Sequence, residues 1–134
     1  MKAQAALEYM LVVMLAMGFL VPVWIYMITV NVETDTEFSL SYAKNTVETI
    51  AYTADLVYSQ GPPAKVTIQV FIPEGVESVI VTNSTISILM RYKSEFTDVF
   101  ATSKATLNGT LPTISGNYQI ELEAIDNYVR IKTV

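Results

Sequence analysis

Glu8 is the residue of this chain whose chemistry is hardest to explain as ordinary packing. It is a carboxylate at the start of a run in which no residue from Tyr9 to Val32 is charged. A helix rises about 1.5 Å per residue, so this run reaches roughly 36 Å, enough to cross a hydrocarbon core of about 30 Å. An acid at the edge of such a segment either pairs with a cation or marks the membrane boundary and reaches the interface.

Other acidic residues with suggestive spacing have simpler explanations. Glu121 and Glu123 share one face of a predicted strand, where cross-strand basic residues explain them better than an acid/base pair does. Glu33, Asp35 and Glu37 lack the glycine of a calcium loop and predict a solvated helical turn. The chain has no Cys and no His, which excludes thiolate and imidazole catalysis and the usual zinc sites. We therefore expect no enzyme activity, no cofactor and no metal site.

The flanks of the apolar run predict its orientation. Lys2 precedes the run and acidic residues follow it, so the N-terminus is expected in the cytoplasm and the rest of the chain outside. The run is longer than the apolar core of a secretory signal, which is about 7 to 15 residues. Nor do the residues after it offer the small-residue cleavage site of such a signal.

The residues around Glu8 resemble a known processing signal. The segment Lys2-Ala3-Gln4-Ala5-Ala6-Leu7-Glu8-Tyr9, followed at once by the apolar run, is similar to the class III, glutamine-led signal peptide of archaeal type IV pilin-like proteins. The resemblance implies that a prepilin peptidase cuts between Ala3 and Gln4 and removes residues 1–3. Glu8 then becomes the fifth residue of the mature chain, where type IV pilins carry a glutamate. Ala3 departs from the glycine that is common before the cut, but it is also small.

The resemblance implies a function, a location and a set of partners. The chain would be a pilin, held in the archaeal cell membrane as a precursor and then assembled through its N-terminal helix into an extracellular homo-oligomeric filament. An assembly ATPase and a platform membrane protein would drive this step, with Gln4 and Glu8 setting the register between subunits, and adhesion would be the use. The alternatives are a minor pilin, an archaellin-like subunit, or an uncleaved single-pass membrane-anchored surface protein.

A long helix is predicted to carry these residues. Residues 4–32 form its membrane or filament-core part, where Gly18 and Pro22 predict a kink, either an ordinary one or a place where the helix can bend in a filament. Residues 33–59 form an amphipathic part, which Gly61-Pro62-Pro63 ends. The apolar stripe of that second part consists of Val47, Ile50, Ala51, Ala54, Val57 and Tyr58.

Residues 60–134 are predicted to form an extracellular head, a small antiparallel β-sandwich or barrel. With the long helix before it, the predicted fold class is α+β. A two-residue turn at Asp126-Asn127 is expected to join the last two strands, with Glu123 opposite Arg130 and Glu121 opposite Lys132. The formal net charge of −5 has the wrong sign for binding phosphate backbones, so the head is not expected to bind nucleic acid. The other strands are predicted at Ala64 to Ile72, Val76 to Thr82, Ile86 to Tyr92, Glu95 to Ala101 and Lys104 to Asn108.

Two triplets in the head have the acceptor pattern for N-glycosylation. They are Asn83-Ser84-Thr85 and Asn108-Gly109-Thr110. Both are predicted to lie in loops outside the cell, where a sugar could be attached to Asn83 or Asn108. Unmodified turn residues are the alternative, because such triplets also arise by chance.

Overall fold

The computed structural model describes residues 1–92 and 94–134, with side chains at all of these positions other than 2, 32 and 33. One long apolar helix is followed by mainly antiparallel strands, which confirms the predicted α+β class and agrees with a pilin-like fold. The described residues form two compact units, 1–35 and 36–134. The elements are α1 (Lys2–Gln60), β1 (Lys65–Ile72), β2 (Val76–Thr82), β3 (Thr85–Tyr92), β4 (Glu95–Thr102), β5 (Leu107–Gly109), β6 (Gly116–Ile125) and β7 (Tyr128–Thr133).

The second half of α1 is amphipathic, and its buried stripe matches the predicted one with two exceptions. Tyr58 is 44% exposed, because it lies one residue, about 100° of helix rotation, past the buried Val57. Ala43 extends the stripe by one turn toward the N-terminus. Gly61 ends the helix in a left-handed conformation (φ 70°), with its N–H donating to the carbonyl oxygens of Val57 and Tyr58 at 3.2 Å each. The buried apolar residues are Ala43, Val47, Ile50, Ala51, Ala54 and Val57.

Two sheets share one core with this part of α1. The first has the strand order β1-β6-β7-β5 and the second β2-β3-β4. Side chains alternate between core and surface along β1, β3, β6 and β7, as expected for strands with one buried face. Those facing the core include Val70, Ile86, Ile88, Met90, Ile120, Leu122, Val129 and Ile131.

The hairpin of β6 and β7 has the predicted register. Ile125 pairs with Tyr128 across the Asp126-Asn127 turn, so the loop has two residues. A slip by one residue would turn every apolar side chain of the hairpin to the surface, which is why the alternation alone determines the pairing. The predicted pairs that the structure contains are Glu121 with Lys132, Leu122 with Ile131, Glu123 with Arg130 and Ala124 with Val129.

The head is not wholly antiparallel, because β5 runs parallel to β7. The strand predicted at 104–108 is also displaced to Leu107–Gly109, since the N–H groups before it are engaged elsewhere. The N–H of Lys104 donates to Asp55 Oδ1 (2.7 Å), and that of Ala105 donates to Ser103 Oγ (3.1 Å). Residues 103–106 therefore form a loop, and the chain then joins the outer side of β7 for three residues only.

Asp55 ties α1 to this loop. Its Oδ1 atom accepts a hydrogen bond from the Ser103 hydroxyl at 2.6 Å as well as the one from the Lys104 N–H. Ser103 is buried, so water competes poorly for its hydroxyl, whereas the bond from the Lys104 N–H is exposed. Hydrogen bonds to a charged acceptor each contribute about 1.5–3 kcal/mol, and a buried partner left unpaired costs about as much.

Replacing Asp55 should therefore loosen the head. We expect Asp55→Ala to lower the free energy of unfolding by about 3 kcal/mol, because two donors lose a charged acceptor. Hydrogen exchange of peptides from β6 and β7 in the full chain measures this change. Glu48→Ala is the control, since Glu48 lies 3.9 Å from Lys44 on an exposed surface, and should cost less than about 0.5 kcal/mol. Equal exchange rates in the two variants would show that the Asp55 bonds do not stabilise the head.

Candidate functional site

The first unit of the chain, residues 1–35, is a helix whose apolar side chains are exposed. Among the described residues, α1 is the one helix that is long and apolar enough to cross a membrane by length and composition, and none of its most apolar stretch is buried inside the chain. The large apolar side chains from Leu7 to Val30 are each 40–73% exposed. An apolar surface of this extent marks a site of interaction rather than a surface in contact with water, and it indicates association with a membrane.

Threonine hydroxyls in this segment bond to the helix itself, as the Thr34 hydroxyl does by donating to the carbonyl of Val30 at 2.9 Å. The Thr29 hydroxyl donates to the carbonyl of Ile25 at 3.0 Å, which removes most of the cost of placing that hydroxyl in an apolar medium. Pro22 lacks an N–H, and the carbonyl that this N–H would reach is that of Gly18, four residues earlier. α1 remains helical on both sides of Pro22. The kink predicted at these two residues stays a prediction.

The predicted processing site lies in the first turns of α1. Ala3, Gln4 and Glu8 are all exposed. The Ala3–Gln4 bond is helical, but helix termini fray, so a peptidase can reach this bond without unfolding the rest of α1. Gln4 and Glu8 are four residues apart and therefore lie on one face of the helix. A cut before Gln4 would leave a free α-amine about one helical turn from the Glu8 carboxylate.

The two glycosylation triplets meet at one groove of the head. Asn83 lies in the β2–β3 turn as predicted, whereas Asn108 lies in β5 and not in a loop. Asn108 is nevertheless exposed, because it alternates with the buried Leu107 on a strand at the edge of the sheet. Both asparagines line an open groove of about 550 Å³ together with Tyr128. A sugar on either residue would extend from the same side of the head.

We expect at least one of these asparagines to carry a sugar, and Asn83 to be modified to the greater extent. Asn83 lies in an exposed two-residue turn, where its carbonyl accepts one hydrogen bond from the Leu107 N–H. Asn108 lies within a strand, paired with Arg130, and its backbone is less able to enter an enzyme. Intact-mass measurement on native protein, followed by peptide mapping, tests this. Asn83→Gln should remove most of the added mass and Asn108→Gln little. A native mass equal to that of the unmodified polypeptide would show that neither asparagine is glycosylated and that both triplets occur by chance.

The acidic pair on β6 is engaged with basic residues. Lys65 Nζ on β1 lies 2.9 Å from Glu121 Oε2, and Arg130 Nη1 on β7 lies 3.7 Å from Glu123 Oε2. The hydrogen bond to Glu121 raises the pKa of Lys65, and a side-chain hydrogen bond with Tyr128, more than the charge of Glu123, raises the pKa of Arg130. The two carboxylates therefore have partners on the strands to either side of β6, which agrees with a structural role.

Sequence reasoning missed two groups of residues that the fold brings together. Asp55 looks like one more acid of an amphipathic helix, and only the fold shows that it bonds the loop before β5. Tyr42 likewise has no distinguishing neighbour in sequence, yet its ring contacts Phe71 of β1, with centroids 5.4 Å apart.

Comparisons with protein families, with curated proteins and with solved structures find no match to this chain. Its own residues and geometry therefore carry the functional interpretation.

Proposed function

We propose that this protein is a structural subunit of an archaeal type IV-like pilus that serves in adhesion. The observation that carries the proposal is an apolar helix that the rest of the chain does not bury. It follows directly after the signal-like segment that ends in Glu8-Tyr9. In lipid this surface is already out of water, and in a filament it would be buried against the helices of sister subunits.

Assembly in this proposal moves the helix from one apolar environment to another. Hydrophobic burial alone then provides little driving force, which is why an energy-consuming assembly ATPase and a platform membrane protein belong to the proposal as partners. The β-rich head stays outside the cell on the surface of the filament. The extracellular filament is the proposed final location, and the archaeal cell membrane holds the precursor.

The proposal predicts that native protein begins at Gln4. A prepilin peptidase would cut ahead of the apolar segment and leave that segment in the mature chain. Mass spectrometry of the N-terminal peptide from native material measures this directly. The new terminal glutamine can cyclise with loss of ammonia, which would also remove its positive charge, and the same spectrum shows whether this happens.

The alternatives give different results in that experiment. An uncleaved, membrane-anchored surface protein would retain Lys2 in its N-terminal peptide. A minor pilin or an archaellin-like subunit would be cut as well. Low abundance in purified filaments would separate a minor pilin from a major one. Native protein that retains residues 1–3 would remove the main support for the pilin proposal.

A further inference from the structure

A shallow cleft lies between α1 and the outer face of β1 and β6, within the second unit of the chain. It encloses about 310 Å³, at the lower end of the range of roughly 300–1,000 Å³ that is usual for small-molecule sites. Helix residues form one wall, and paired residues of the two strands form the other. We name it the amide cleft, because three of its exposed lining residues carry side-chain amides. The exposed lining is Tyr42, Asn45, Gln69, Phe71 and Asn117.

The charge of the amide cleft separates it from the rest of the surface. None of the residues that line it is Asp, Glu, Lys or Arg, although the chain has 13 acidic and 8 basic residues. A charged ligand would therefore find no counter-ion in the cleft and would lose part of its hydration on entering. An uncharged ligand has no such cost. The lining selects for neutral molecules.

The polar groups of the cleft match hydroxyl groups. Asn45, Gln69 and Asn117 each carry an amide, which offers two donors and an acceptor, and all three are exposed. A sugar hydroxyl is both a donor and an acceptor, so adjacent hydroxyls of one ring can bond the two ends of one amide. The carboxylates and ammonium groups found elsewhere on the head offer only acceptors or only donors.

Two aromatic rings provide the apolar contact that a sugar ring needs. Tyr42 is 51% exposed and Phe71 is 36% exposed, and their rings meet edge to face at an interplanar angle of 76°. The face of an aromatic ring carries partial negative charge and attracts the C–H groups on the flat side of a pyranose. The two rings form a corner, so a pyranose can lie on one ring while its edge touches the other.

The walls of the cleft are held in place before any ligand binds. The buried Thr46 donates its hydroxyl to the carbonyl of Phe71 at 2.6 Å, which joins α1 to β1 beneath the cleft. Ala43, Val47 and Val70 are buried in the core behind the two walls. A preorganised site spends less of its binding energy on ordering side chains.

We propose that the amide cleft binds an uncharged carbohydrate presented by a surface outside the cell. Binding by the cleft is independent of the pilus proposal, and only its use in adhesion rests on that proposal. Because the cleft is small and open, we expect dissociation constants of about 1–10 mM for single sugar rings.

The experiment titrates the full chain with the methyl glycosides of glucose, galactose, mannose and N-acetylglucosamine. The detergent must have a phosphocholine head group, because maltoside detergents present the very chemistry under test. NMR follows the side-chain amide signals of Asn45, Gln69 and Asn117. We expect at least one glycoside to shift these signals saturably, and methyl glucuronide, which is charged, to bind at least about tenfold more weakly because its carboxylate is desolvated without a partner.

Variants locate the site. Tyr42→Ala removes the more exposed ring and should weaken binding about tenfold, and Asn45→Ala, at an exposed helix position, should weaken it severalfold. Tyr52→Ala is the matched control, because Tyr52 is a 72% exposed tyrosine of the same helix outside the cleft. It should bind as the unchanged chain does. The backbone spectrum of each variant verifies that the head is folded.

Three results of the titrations would overturn the proposal. They are the absence of saturable shifts with every neutral glycoside up to about 50 mM, shifts confined to residues outside the cleft, and an equal loss of binding in Tyr42→Ala and Tyr52→Ala.

The chain's own sugars are a second source of the same chemistry, so native protein is compared with the double variant Asn83→Gln, Asn108→Gln. Equal binding by the two proteins supports an external ligand. Binding by the variant alone would show that the chain's own sugars fill the cleft, and is a fourth result that would overturn the proposal.

Discussion

Gly109→Ala is expected to destabilise the head strongly. Gly109 has a φ of 152° and lies so close to β7 that a Cβ atom built on it would overlap the carbonyl oxygen of Ile131 and lie 2.9 Å from its Cβ. The obstacle is backbone, so no rotation of a side chain can relieve the overlap. The strand must move away from β7, and the backbone conformation is also strained. Together these effects should cost about 4 kcal/mol, a large share of the 5–15 kcal/mol that stabilises an ordinary domain.

Hydrogen exchange of head peptides in the full chain measures this loss, and exchange from β7 should be faster by roughly a thousandfold. Tryptophan fluorescence is unsuitable, because the single tryptophan, Trp24, lies in the apolar segment and not in the head. Gly61→Ala is the matched control. Gly61 also has a positive φ (70°), but no atom lies within 4 Å of a Cβ built there, so only the conformational cost of about 1 kcal/mol remains. Similar exchange in both variants would mean that β5 can leave β7 without loss.

Glu8→Ala should leave the cells with few filaments or none. If the α-amine of Gln4 enters an apolar helix bundle during assembly, it is tolerated only beside a negative charge, and the Glu8 carboxylate of an adjacent subunit would provide that charge. Removing the acid leaves the amine unpaired, at a cost of about 3 kcal/mol per subunit. Such a cost lowers the association constant of each added subunit by roughly a hundredfold. The effect recurs at every subunit, so long filaments are lost first.

The measurement is a count of filaments and their lengths by electron microscopy, beside the amount of the protein in the membrane. Membrane insertion should not fall, because alanine enters a bilayer more easily than glutamate. Glu8→Gln keeps a hydrogen-bond acceptor without the charge and should give an intermediate count. Glu74→Ala, which removes one exposed acid of the head, is the control and should assemble normally. Filaments of normal number and length in Glu8→Ala would contradict the register hypothesis and leave Glu8 as a residue of the membrane boundary.

Local patterns predicted those parts of the fold whose stabilising contacts are periodic in sequence. The register of β6 and β7 follows from alternation about a two-residue turn, and the buried stripe of α1 follows from spacings of three and four. The end of α1 was equally readable, because Gly61 and the prolines after it cannot continue a helix.

Contacts between distant parts of the chain could not be predicted in the same way. The backbone before β5 is bonded by Asp55, some fifty residues earlier, and no local pattern contains that bond. Nor does a local pattern show that β5 pairs with β7 in parallel. The amide cleft depends on the pairing of Phe71 with Asn117 and on their placement beside Tyr42, which only the assembled head defines. For Glu8 the sequence is more informative than the structure of one chain. Its neighbours in sequence suggest its proposed role, whereas the contacts it would make in that role are with other copies of the chain.

Electron microscopy of purified surface filaments tests the proposed function most directly. Filaments should be built from this chain, and a reconstruction should show residues from Gln4 onward as a central bundle of helices, with density for the heads outside. The carboxylate of Glu8 should lie within pairing distance of the N-terminus of a neighbouring subunit. Surface filaments that lack this chain, together with the full-length chain in the membrane fraction, would contradict the account and identify the protein as a membrane-anchored surface protein.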